Sequence, residues 1–229
     1  MSKLIRIFFW GLLISFLGSL PLGTLNVAAM QIGIQESIRQ AIYFSLGSLL
    51  VEMIYVRISL VGIDWIRKQE RLMKIMEWVT FGIVVALAIG SFIAAMQGGE
   101  NAKNPILDNN MNRFLLGMLG CAINPVVVVF WFGWSTVLFT KKILEPVNSQ
   151  YNSYILGIGV GAFLGNCVFI FGGNFLYRKI ANAQQYMHWV IGGIFALTAL
   201  IQLYKIIKHK DAIDKLQHIK SEEKLGEVV

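Results

Sequence analysis

The chain has 229 residues, of which 56% are hydrophobic and 14% charged, with a mean hydropathy of +0.62; an ordinary soluble domain carries about 25% charged residues. Its charges are gathered at intervals instead of forming a polar coat, which argues against a water-soluble globule and for lipid as the solvent. The net charge of +7 does not point to nucleic acid, because Lys and Arg sit at the ends of apolar runs, where they orient membrane proteins.

Taken in chain order, the apolar runs predict six membrane spans: Leu4 to Ile34, Ala41 to Ile63, Met76 to Met96, Phe114 to Phe139, Tyr154 to Tyr177 and His188 to Ile207. A span needs roughly 20 residues at about 1.5 Å rise. The first run is too long for one straight crossing and is broken at Pro21 and Gly23. Lys3 and Arg6 ahead of it resemble a cleavable signal, but apolar residues resume at Val27 to Met30, which fits an interrupted helix better. The fold class is therefore all-α, a polytopic helix bundle. Residues 1–207 form its transmembrane domain and 208–229 a solvated tail with Ile213, Leu216 and Ile219 at helical spacing.

Lys and Arg number 14 on the side bearing the N-terminus, the second and fourth loops and the tail, against five on the other. This bias places both termini in the cytoplasm of a bacterial-type inner membrane.

Six spans divide as three plus three, and halves of odd span number insert in opposite orientations, the arrangement in which a solute site lies at mid-membrane between inverted repeats. The first span carries Ser19-Leu-Pro-Leu-Gly-Thr-Leu-Asn26 and the fourth Cys121-Ala-Ile-Asn-Pro-Val126. The second spans match in position, Gly47 to Glu52 against Gly161 to Asn166. Pro21 lies about 22 Å from Arg6, and Pro125 about 18 Å from Arg113 on the other side. In a core about 30 Å thick, both breaks, Glu52 and Asn166 converge on one layer.

A proline removes a helical hydrogen bond, and open backbone groups are tolerated in lipid only beside protein or a hydrated cavity. Freed amides at Gly23, Thr24 and Leu25 would form a helix N-terminus suited to a carboxylate. The predicted substrate-binding set is Pro21, Gly23, Thr24, Asn26, Glu52, Asn124, Pro125 and Asn166.

Glu52 and Arg57 are read as the charges well inside a span, where each costs at least about 2.5 kcal/mol. Five residues apart, they point in different directions and need separate partners. Glu52 is expected to carry a proton or bind a substrate amine, and Arg57 either serves the site or snorkels toward the cytoplasmic end. Gly157, Gly161 and Gly165 form a packing stripe. Phe130, Trp131, Phe132 and Trp134 are expected at the bundle surface or in an interface belt. Cys121 and Cys167 are expected as small buried residues.

These motifs resemble the LysE-type superfamily of small amino-acid exporters over nearly the whole chain except the tail. Pro21 to Asn26 is similar to that family's Pro-Gly-Pro-like break without its second proline. Gly47 to Glu52 is similar to its glycine-rich stretch, with glutamate for the usual aspartate, and Asn124-Pro125 to its Asn-Pro pair. The resemblance implies proton-driven efflux of an amino acid or similar small zwitterion.

Two other transport classes compete with this reading. A small-cation exporter would use Glu52 and the asparagines. A transmembrane thiol/disulfide carrier would pair Cys121 with Cys167, although the first half has no cysteine to match. An intramembrane enzyme is not expected, since the metalloprotease and Gly-x-Ser-x-Gly motifs are missing. No metal or cofactor is predicted. The expected partners are a small solute and the bilayer, with no nucleic acid; a homo-oligomer is compatible with the sequence, which does not specify the oligomeric state.

Overall fold

The computed structural model describes residues 3–20, 23–61, 70–97, 111–179 and 183–208. Pro21 and the tail beyond residue 208 lie outside them, so neither the first proline nor the tail helix has a described conformation. Eight helices occur among the described residues: α1 (Lys3–Ser19), α2 (Thr24–Gln35), α3 (Ile38–Val61), α4 (Glu70–Gln97), α5 (Arg113–Ala122), α6 (Pro125–Thr140), α7 (Asn148–Lys179) and α8 (Ala183–Ile207). The all-helical expectation holds for a simple reason: in lipid a helix satisfies its backbone groups internally.

Four segments are long and apolar enough to cross a membrane, at Ile38–Val61, Glu77–Gln97, Asn148–Tyr177 and Tyr186–Ile207. Two bent pairs complete six spans if each pair counts as one: α1 with α2 at 73° and α5 with α6 at 63°. The bends fall where the sequence places its Pro-Gly and Asn-Pro breaks.

Helix pairing exchanges partners between the two halves of the chain. α1 packs along α7, α3 along α5 and α4 along α8. Glycine permits the closest approaches. A β-carbon on Gly157 or Gly161 would overlap the carbonyl of Phe8 or Leu12, and one on Gly11 the carbonyl of Tyr154, so the predicted glycine stripe is the α1–α7 seam. At the α3–α5 crossing, Gly47 meets the Phe114 carbonyl and Gly117 the Phe44 carbonyl.

Buried apolar residues form two clusters. One, around Ile32, Phe44, Leu87, Ile170 and Phe195, joins α2, α3, α4, α7 and α8. The other, around Ile14, Val56, Trp131, Tyr154 and Ile158, joins α1, α3, α6 and α7. Large apolar side chains such as Leu13, Leu50, Leu164 and Leu200 face outward, as suits a lipid-facing surface.

The buried charges differ from the two read from sequence, since Glu52 and Arg57 are both partly exposed. Glu77, at the start of the third predicted span, is buried, and so is Arg113. Arg113 forks onto Glu36 with contacts of 2.9 Å and 2.7 Å, the bidentate geometry that tolerates burial.

Candidate functional site

A cavity of about 190 Å³ lies where the two broken spans meet α3 and α7. α1 contributes Ser15, Gly18 and Ser19; α3 contributes Ser48 and Glu52; α6 contributes Val127, Phe130 and Trp131; and α7 contributes Ala162 and Asn166. These are steps of three or four along each helix, so one face of each helix points inward. The breaks add Gly23, Thr24, Leu25, Asn26, Cys121 and Asn124.

Of the predicted set, Gly23, Thr24, Asn26, Glu52, Asn124 and Asn166 line this one cavity. Pro125 is buried as the first residue of α6, with Asn124 and Val126 on either side of it among the lining residues. A proline suits that position, where its missing N–H would have no helical partner.

The two breaks solve their backbone problem differently. At the second, the Asn124 side chain caps α6 by accepting from Val126 N at 3.1 Å. The carbonyls released at the end of α5 are taken by hydroxyls, Tyr55 donating to Ala122 O and Thr80 to Ile123 O at 2.7 Å. At the first, Asn26 Nδ2 donates to Ser19 O. The N-cap of α2 is Gly23, in extended conformation and with no side-chain cap. The amides of the first turn of α2 are therefore not capped by a side chain, and the turn carries the positive end of the helix dipole.

Glu52 is the one carboxylate among the described lining residues, and none of those residues is Lys, Arg or His. Its partner is Trp131, whose Nε1 donates to Glu52 Oε1 at 3.0 Å. The side chains of Thr24 and Asn166 make no hydrogen bond to the described residues, and Ser15 Oγ is buried without a partner among them. The cavity thus combines an acid, an uncapped helix N-terminus and several open hydrogen-bonding groups.

The aromatic expectation needs correction. Trp131 and Phe132 are 1% and 0% exposed, so they belong to the core and not to a belt, and Phe130 lines the cavity with Trp131. Trp134, 36% exposed, fits the expected surface position. Helical spacing from Asn124 through Val127 to Trp131 is compatible with this face, but the same step continues to Trp134, so spacing alone does not single it out. Arg57 lies away from the cavity: its Nη2 donates to Asn148 Oδ1 at 2.9 Å and its guanidinium rests over the Tyr151 ring at 5.3 Å. Cys121 is buried in the cavity wall, Cys167 is half-buried, and both are free thiols.

A family model for LysE type translocators matches residues 16–205. The chain belongs to the LysE type translocator family. The match covers both breaks and, apart from Ser15, all the residues that line the cavity, so this LysE-type protein is a multi-pass membrane translocator. No curated protein and no solved structure gives a significant match to the chain.

Proposed function

We propose that this LysE-type translocator is a secondary transporter that exports an amino acid or similar small zwitterion in exchange for protons, with Glu52 as the proton-exchanging group. The observation that carries this reading is the coexistence, in one cavity, of a carboxylate, the one among the described lining residues, and an uncapped helix N-terminus. An ammonium is drawn to Glu52. A carboxylate is drawn to the first turn of α2 at Gly23, Thr24 and Leu25. Asn26, Asn124 and Asn166 supply orienting hydrogen bonds beside them, and Pro21 and Pro125 set the breaks.

Glu52 lies on α3 and its partner Trp131 on α6, so an acid from one half of the chain is held by the other half. The exchange of helix partners between halves supports two inverted three-helix repeats with the solute at their interface. A proton and an ammonium compete for the same carboxylate, which couples their movements in opposite directions.

A small cation would also seek Glu52. It would gain nothing from the α2 N-terminus, whose dipole repels it, so the zwitterion reading is preferred. The Lys and Arg bias supports insertion in a bacterial inner membrane with both termini cytoplasmic.

The test is reconstitution in liposomes, with an imposed proton gradient and a panel of radiolabelled amino acids. Wild-type protein should drive gradient-dependent movement of at least one of them, and Glu52→Gln should lose that dependence. Equal gradient-driven transport by both proteins would overturn the reading.

A further inference from the structure

Two ion pairs sit at opposite ends of the first broken span, and their partners are exchanged between the halves of the chain. Arg113, the first residue of α5, pairs with Glu36, which follows α2. Lys3, the first residue of α1, pairs at 2.6 Å with Glu145, in the connection that follows α6. In both cases a basic residue opening one broken span holds a glutamate just beyond the end of the other.

Each pair stands beside a close glycine crossing. At the α3–α5 crossing, Gly47 faces the Phe114 carbonyl, next to Arg113; along the α1–α7 seam, Gly157 faces the Phe8 carbonyl. At the Lys3 end, Ser153 also ties α7 to the Leu4 carbonyl at 2.8 Å. The ends nevertheless differ in closure. Side-chain exposures are 8% and 20% for Arg113 and Glu36, against 51% and 50% for Lys3 and Glu145.

We infer that Arg113–Glu36 and Lys3–Glu145 are reciprocal gate pairs for translocation, one at each membrane face, and that this conformation is latched at the Arg113 face. Translocation requires the central cavity to open to one face at a time, so contacts that join the two halves must break alternately. A buried bidentate pair closes its face firmly, whereas a half-exposed single contact is ready to part. This inference uses only the translocator family and the geometry, and it holds whatever the solute.

The test places a single thiol, Thr24→Cys, in the cavity of full-length protein carrying Cys121→Ala and Cys167→Ala. Labelling by a membrane-impermeant methanethiosulfonate is followed in right-side-out and inside-out vesicles. Neutralising one latch, with Glu36→Gln plus Arg113→Gln, should raise labelling from the Arg113 face by about tenfold or more and leave the Lys3 face no faster. The reversed pair, Glu36→Arg with Arg113→Glu, should return labelling toward its original rate. Lys3→Gln plus Glu145→Gln should raise labelling from the Lys3 face alone.

Unchanged rates, or equal rises at both faces, overturn the inference, because a general loosening of the bundle would not discriminate between faces. Should the neutral double variant not run as a monodisperse species, Glu36→Asp carries the same test. It keeps both charges but shortens one arm by a methylene, so labelling from the Arg113 face must rise, and an unchanged rate again overturns the inference.

Discussion

Trp131 donates its indole Nε1–H to Glu52 Oε1 across 3.0 Å, joining α6 to α3 at the cavity wall. Trp131 is itself wedged edge-on between Phe130, with centroids 4.9 Å apart, and Tyr154, at 6.4 Å. The indole cannot follow the acid if the acid turns, so the bond fixes which carboxylate oxygen is occupied and leaves Oε2 for other partners.

Trp131→Phe removes that donor and leaves Glu52 Oε1 without its partner at the cavity wall. The expected loss is about 1–3 kcal/mol of stability, read as a lower Tm in detergent. Glu52→Gln keeps an oxygen able to accept from the indole and should stay within about 1 kcal/mol of the wild type. If the two variants melt together, the bond contributes nothing to the fold.

Gly47 and Gly82 are both helical glycines with opposite surroundings. A β-carbon at Gly47 would overlap the Phe114 carbonyl, backbone that cannot rotate away, whereas one at Gly82 meets nothing within 4 Å. Gly47→Ala must separate α3 from α5 and should cost about 1–3 kcal/mol. Gly82→Ala should be neutral or stabilising by up to about 1 kcal/mol, through the reduced freedom of the unfolded chain. Thermal unfolding of the two variants side by side checks the contrast.

The glycine contrast also marks how far the sequence could be read. Six apolar runs, two breaks and the shared layer of Glu52 and Asn166 follow from hydropathy and spacing, because lipid enforces helices and penalises buried charge. Facing is harder. α6 is apolar all round, so nothing in its composition tells Trp131, buried in the core, from Trp134 on the surface. The partner of Arg57 was equally hidden, since Asn148 lies 91 residues away and is brought near by the α3–α7 packing. Ser15 with Ser19, and Ser48 with Glu52, were accessible as four-residue steps on one face, but small hydroxyl residues are too common in membrane helices to stand out unaided.

The Lys3–Glu145 pair makes a pH-dependent contribution whose sign is fixed. Lys3, and after it Gln150, which donates to Glu145 Oε2 at 3.0 Å, hold the Glu145 carboxyl below its ordinary value of 4.5. The folded state then binds fewer protons than the unfolded chain in that range, so the contribution is complete above the ordinary value and is lost as pH falls through the lowered one. The Tm difference between wild type and Glu145→Gln should be positive and flat from neutral pH to about pH 5 and should vanish in stronger acid. Because both side chains are half-exposed, added salt should shrink the difference at neutral pH as well. A difference that grows on acidification would assign the effect to another group.

Gly23→Asn separates stability from function at the first break. Gly23 has φ −80° and ψ 149°, ordinary extended backbone that asparagine adopts without strain, and it occupies the N-cap position where asparagine is among the best residues. The new side-chain oxygen would accept from an amide of the first turn of α2, as Asn124 does for α6 at 3.1 Å, and stability should hold or rise by a few tenths of a kcal/mol. The same oxygen would occupy the amide that a solute carboxylate is proposed to use, and it would place a partial negative charge there. Gradient-driven transport should fall at least about tenfold, a loss of about 1.4 kcal/mol in binding, while Tm does not drop. Undiminished transport by this variant would remove the α2 N-terminus from the site and leave Glu52 to bind the solute without it.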